Sequence, residues 1–238
     1  EFGIEAVEYV NAFFYDKAKD QNYLAELKRR SADVGVRNLL IMIDEEGHIG
    51  AETTAEIDKT LEKHKKWVEA AKFLGCHSIR VNAHGHGNRE EAGKRVVEGL
   101  TKLSTFAQAF GINVIVENHG GLSSDGAWVE GVLKSVGMAN CGALPGFGNF
   151  HGYDRYKGIA EMMPFAKGVS AKSKVFDARG NESETDYLKA MQIVLDSGFR
   201  GHVGIEWEGD GISEYAGILK TKALLEVVRR ELSPKYSS

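Results

Sequence analysis

Cysteine is almost missing from this chain. Cys76 and Cys141 are its only two in 238 residues, too few for a disulfide framework. Each stands at the start of a predicted strand, so both read as buried thiols in a reducing compartment, and the expected location is cytoplasmic. Proline is scarce at three residues, and none interrupts a long predicted helix. No apolar run approaches the roughly 20 residues that span a bilayer, which excludes a membrane helix. No secretory signal is read ahead of Ile4. Basic charge is not in excess: the formal net charge of −4 argues against a nucleic-acid partner. Glycine-rich dinucleotide, Walker and Cys-x-x-Cys patterns are all absent, so neither a nucleotide cofactor nor a structural zinc cluster is indicated. What is present, 42% hydrophobic and 27% charged residues, is an ordinary globular composition, and the length suits one domain over 1–238.

Apolar runs alternate with helical patterns along the whole chain. Strands are expected over Ile4 to Val10, Val36 to Ile43, Cys76 to Ala83, Ile112 to Asn118, Cys141 to Gly148, Lys167 to Ser173 and His202 to Glu208. Helices are expected over Lys17 to Asp33, Thr53 to Leu74, Glu90 to Phe110, Asp125 to Val136, Tyr153 to Met163, Thr185 to Asp196 and Ser213 to Arg230. In the second of these, Ile57, Leu61, Trp67, Val68, Ala71 and Leu74 fall on one stripe, as a helix laid on a sheet requires. Gly35, Gly75, Gly111 and Gly198 stand just past helical patterns as left-handed caps. The repeat predicts a parallel α/β fold of the TIM (β/α)8 type. Seven strands are counted, one fewer than that barrel holds, as if the first βα unit were lacking. Two parallel edges would then need covering, by a neighbouring chain in a homo-oligomer or by closure as a seven-stranded variant.

Two of the strands end in acid. Val114-Ile115-Val116-Glu117-Asn118-His119 and Val203-Gly204-Ile205-Glu206-Trp207-Glu208 place carboxylates at C-terminal strand ends, the face where barrel active sites form. Glu117 and Glu206 are therefore the candidate catalytic residues. The bland alternative is a structural salt bridge to Arg80 or Lys172. Strand alternation puts Glu208 on the same side as Glu206 and turns Trp207 the other way, toward helix packing. Asp44, Glu45 and Glu46 read as ordinary charged loop residues.

The runs Val7-Glu8-Tyr9-Val10-Asn11, Ser78-Ile79-Arg80-Val81-Asn82-Ala83, Val116-Glu117-Asn118-His119-Gly120-Gly121-Leu122-Ser123-Ser124-Asp125, Gly148-Asn149-Phe150, Gly168-Val169-Ser170-Ala171-Lys172 and Gly204-Ile205-Glu206-Trp207-Glu208-Gly209 resemble the sugar phosphate isomerase/epimerase group of the xylose-isomerase-like TIM-barrel superfamily. The resemblance extends over nearly the whole chain. It implies a divalent metal (Mn, Mg, Co or Zn) held by a Glu, an Asp, a His and a Glu after the fifth to eighth barrel strands, with the two Glu residues also moving protons. Glu117 and Glu206 match the first and last of these positions. Gly146 stands where the resemblance leads to Asp, and Ser170 or Lys174, with Lys172 beside them, where it leads to His.

Histidines on the loops supply further candidates. His84, His86, His119 and His151 all fall on the loop-bearing side, where imidazole can ligate a metal or exchange protons near neutrality. Loop histidines are often solvent-exposed or bonded to backbone, and for each singly that bland reading is the stronger. His86 and His119, flanked by glycines, are the preferred pair for substrate binding, with Asn149 for a sugar hydroxyl and Lys172 as a charge partner or oxyanion stabiliser. The expected function is metal-assisted isomerisation or epimerisation of a small carbohydrate through an enediolate. The alternatives are lyase or hydrolase-like cleavage of keto-glycosides at the same site, and a degenerate barrel that only binds sugar. An endonuclease IV-like activity would need a richer metal set and a more basic surface.

Overall fold

Short polar side chains start most of the helices. The structure, a computed structural model, describes residues 2–236. Asp20, Asp125, Asp154 and Asp186 accept backbone N–H bonds in the first turns of α1 (Gln21–Asp33), α4 (Gly126–Val136), α5 (Arg155–Met162) and α6 (Tyr187–Asp196). Reciprocal capping boxes, Thr53 with Glu56 and Asn88 with Glu91, open α2 (Thr54–Leu74) and α3 (Arg89–Gln108). These contacts satisfy donors that helical geometry leaves without an internal partner. Gly75 ends α2 at φ 83°, a left-handed cap that a Cβ would strain.

Among the described residues seven parallel strands alternate with the helices: β1 (Ala6–Val10), β2 (Arg37–Met42), β3 (Ser78–Asn82), β4 (Asn113–Glu117), β5 (Cys141–Leu144), β6 (Val169–Ser173) and β7 (Val203–Trp207). β1 to β5 pair in chain order, and β6 pairs with β7. Irregular bonds carry the wall from β5 to β6, with Lys167 N–H donating to Ala143 O and Phe147 N–H to Ser170 O. This is the α/β TIM-barrel-like architecture expected from the repeat.

Two helix boundaries differ from expectation by more than two residues. The first helix starts at Gln21 rather than Lys17: residues Asn11–Lys17 form a 3-10 turn kinked at Phe14, and the Asp20 cap restarts the chain in a new direction. The last helix, α7 (Glu214–Tyr236), runs through Pro234, although no proline was expected inside a long helix. Pro234 lies in the final turn, where the one lost backbone bond costs little.

Side-chain alternation sorts the strands into two faces. Outward-facing Ile41, Ile79, Val81, Val114, Val116, Ala143 and Val169 join Trp67, Leu100, Val129 and Ile159 of the helices in the main core. Every residue of the α2 stripe lies in that core. Inward-facing Leu40, Met42, Ile115 and Leu144 form a small second cluster with Val10 against it, an apolar floor inside the wall. The next inward positions toward the strand ends are polar, and they make the site. Cys76 and Cys141 are both buried and unpaired.

The wall changes character between β7 and β1. No backbone ladder joins them among the described residues, and a cleft of about 450 Å³ runs there, lined by Phe2, Ile4, Val7, Glu8, Val203 and Ile205. Glu8 reaches across this gap: a Cβ built on Gly204 of β7 would stand 2.4 Å from Glu8 Oε2. Among the described residues no helix is long and apolar enough to cross a membrane.

Candidate functional site

Register brings the polar positions into one belt. Asn82 lies beside Glu117 in the β3–β4 ladder, and Lys172 beside Glu206 in the β6–β7 ladder. Glu117 is fully buried, and it has a cation of its own: Arg80 Nε stands 3.0 Å from Oε2, close enough for an ion pair though out of line for a hydrogen bond. Asn149 Nδ2 donates to Oε1 at 3.1 Å. Burial pushes the Glu117 carboxyl up against the pull of Arg80, and the charge of Glu206 adds to the rise.

Glu206 is held by different partners. Lys172 Nζ lies 3.1 Å from Glu206 Oε1 and 2.9 Å from Glu208 Oε1, and the Ser170 hydroxyl donates to Glu206 Oε2. Lys172 is almost wholly buried, which disfavours its charge, but Glu206 and Glu208 outweigh that and raise its pKa, so it stays an ammonium. The expected salt bridges of Glu117 to Arg80 and of Glu206 to Lys172 are thus both present in one polar belt. Glu208 shares Lys172 with Glu206, and Trp207 turns outward, stacked on Phe176 at 5.7 Å and packed on Gly217 of α7.

The other expected residues divide. Asn149 is buried beside Glu117. Asn118 fixes its loop by clasping Gly146 at both backbone groups, accepting from its N–H at 2.7 Å and donating to its carbonyl at 2.9 Å. His119 is half-buried; desolvation first, then the charges of Arg80 and Lys172, lower its pKa, which leaves a neutral imidazole at the pocket. His86 is not brought to this pocket: it is exposed on the rim, edge-on to His48 at 5.2 Å and 3.8 Å from Glu52. His84 approaches the His119 carbonyl at 3.4 Å and the His48 ring at 5.5 Å, and His151 is exposed.

Three roles were missed in the sequence. Asp44 is no ordinary loop charge: it accepts from Arg80 at 2.7 Å and Asn82 at 2.8 Å, bonds that lower its pKa in spite of its burial. Glu46 is buried as well, accepting from Trp67 Nε1 at 2.7 Å and pairing with Lys66. Glu8 faces the belt from β1, with no hydrogen bond or ion pair among the described residues. Desolvation chiefly, then the charge of Glu206, raise its carboxyl to about 7. The signal for Glu8 was an acid at an inward position inside an apolar strand, whereas Glu117 and Glu206 were found as acids at strand ends.

A raised carboxyl makes stability depend on pH with a definite sign. Glu8 favours the folded state fully below its ordinary value of 4.5, and that contribution is lost as pH rises through about 7. Solvent reaches part of the side chain, so the loss is at most about 3 kcal/mol between pH 4.5 and 8. Urea unfolding of the chain and of Glu8→Gln at both pH values measures it: the variant loses this part of the slope, and an unchanged slope would remove Glu8 as its source.

The metal implied by the resemblance finds a poor donor set here. Among the described residues no group of three or more His, Cys, Asp or Glu side chains converges as a metal site. Glu117 and Glu206, the expected ligands, are each engaged by a cation, and neither ammonium nor guanidinium can ligate. Gly146 has no side chain to offer; a Cβ there would stand 3.1 Å from Glu117 Oε1.

Comparison with known proteins follows the same lines as the geometry. No curated protein matches the chain. Among solved structures it is similar to D-psicose 3-epimerase from Clostridium cellulolyticum H10, at 13% identity and TM-score 0.78 over 96% of this chain and 89% of the other. It is similar also to an L-ribulose 3-epimerase, at 18% identity and TM-score 0.78 over 98% and 88%, and to the IOLI protein with a bound zinc atom, at 16% and 0.77 over 96% and 89%. Likenesses at such identities speak to the fold alone. The match to a family model is broader in meaning, and because it runs over residues 1–231, the chain belongs to the xylose isomerase-like TIM barrel family.

Proposed function

We propose that the chain isomerises or epimerises a small sugar or polyol by proton transfer through an enediolate. The observation that carries this reading is the pair Glu117 and Glu206. They stand three strands apart at inward positions of the wall, above an apolar floor, Glu117 fully buried beside Arg80 and Glu206 partly exposed beside Lys172. Glu206 takes the proton α to the carbonyl: the C–H bond breaks, its electrons form the enediolate double bond, and the carbonyl electrons move to oxygen. Glu117, whose carboxyl burial raises against the pull of Arg80, is the group assigned to deliver a proton to carbon as the oxyanion electrons re-form the carbonyl. His119, kept neutral, has a hydrogen bond to offer a hydroxyl at the same mouth. The structural neighbours include a D-psicose 3-epimerase with D-tagatose and an L-ribulose 3-epimerase, in keeping with a carbohydrate partner. The two buried, unpaired thiols fit a cytoplasmic setting.

The test is wash-in of deuterium from D2O into D-psicose, D-tagatose, D-fructose and L-ribulose, followed by NMR. Exchange at a carbon α to the carbonyl, dependent on Glu206, is expected for at least one of them. A chain that binds these sugars without exchanging any carbon-bound proton would be a binding barrel instead.

A further inference from the structure

We propose that the Lys172 ammonium takes the place of a divalent cation in this chain, so that the pocket carries its own positive charge and needs no metal. The inference rests on the proton-transfer reading above and adds the identity of the group that meets the developing oxyanion.

The ammonium is built in. Lys172 projects inward from β6 and reaches two carboxylates, Glu206 and Glu208, at 3.1 and 2.9 Å. Its stem lies against Gly148, where a Cβ would stand 3.0 Å from both Cγ and Cδ. Any other residue at 148 would press on the stem, so the loop after β5 is cleared for it. The backbone at Lys172 is pinned as well: Tyr187 Oη donates to the carbonyls of Ala171 and Lys172 at 3.0 and 2.9 Å. An ammonium has three N–H donors and two are spent on carboxylates, which leaves one for a substrate oxygen.

The same arrangement works against a metal. A divalent ion bound between Glu117 and Glu206 would have to displace Arg80 from one and Lys172 from the other, and would then lie beside two buried positive charges. Hard ions need several oxygen donors, and Gly146 supplies none. Enediolate formation still needs a charge or hydrogen-bond donor at the oxygen, and a buried, fixed ammonium provides both without reorganisation. Bonded to two carboxylates, it serves as a charge and hydrogen-bond donor rather than as a nucleophile.

Manganese(II) titration by calorimetry tests the proposal independently of turnover, using the 238-residue chain and its Lys172→Met variant. The chain itself is expected to take up no stoichiometric Mn²⁺ and to keep its deuterium exchange after dialysis against EDTA. Lys172→Met, with Glu206 and Glu208 freed of their cation, is expected to bind Mn²⁺ at least about tenfold more tightly than the parent. Its metal-free exchange rate should fall by about 10²- to 10³-fold. One Mn²⁺ per parent chain, lost in Glu117→Ala/Glu206→Ala, overturns the proposal, as does a Lys172→Met variant that binds no better than the parent. The parent titration needs no variant and decides even where Lys172→Met fails to fold. Absence of exchange on every sugar, with no metal bound, would count against the proton-transfer reading instead, since the metal result is read separately.

Discussion

Glu206→Gln is expected to lower deuterium exchange and turnover by about 10²- to 10⁴-fold while leaving the folded structure in place. The amide has the shape of the carboxylate and still accepts a hydrogen bond, from Ser170 or from Lys172, so the ties that position residue 206 survive. Glu208 remains as counter-ion to Lys172, and no buried ammonium is orphaned. What disappears is the capacity to take a proton. The loss should therefore fall on kcat, with KM changed little, because the substrate's hydroxyl contacts are untouched. Far-UV circular dichroism and urea unfolding check the fold, and exchange kinetics check the chemistry. A variant that keeps full exchange would remove Glu206 from the proton path and leave Glu117 or Glu8 as the base.

The positions of these groups were legible in the sequence to different depths. Strand endings at Glu117 and Glu206, the outward turn of Trp207 and the shared side of Glu206 and Glu208 follow from a period of two, which local sequence displays. The pairing of Arg80 with Glu117 was legible as an alternative, since both lie at inward positions of neighbouring strands. Glu8 was not: it stands inside its strand rather than at the end, and its setting depends on a feature no local pattern shows, since β1 and β7 face one another with no ladder between them among the described residues. Asp44 and Glu46 were missed for a related reason. They follow β2 in the loop, and only the approach of Arg80 and of Trp67 from other elements buries them or gives them partners. His86 shows the reverse. Its flanking glycines permit close approach to a ligand, yet the chain turns it to the rim beside His48 and Glu52.

Arg80→Met is the substitution expected to cost most in stability, about 3–5 kcal/mol near neutral pH. Arg80 is 3% exposed and holds Asp44 and Asn82 through Nη1 while standing beside Glu117 through Nε. Methionine fills much of the same volume, so packing loss is a small part of the effect. The larger part is a carboxylate with 0% exposure left without its cation. That charge has one escape, which is to accept a proton, and burial already raises the Glu117 carboxyl before Arg80 is removed. The raised value sets the sign: in the variant, Glu117 is protonated at lower pH, the uncompensated charge vanishes, and the destabilisation shrinks as pH falls. Urea unfolding at pH 5 and pH 8 should therefore give a larger loss at the higher pH. The double variant Arg80→Met/Glu117→Gln should recover much of it, since both charges of the pair are then gone. Equal losses at the two pH values, with no recovery in the double variant, would mean that Arg80 supports the wall through Asp44 and Asn82 and that Glu117 is held by Asn149 alone.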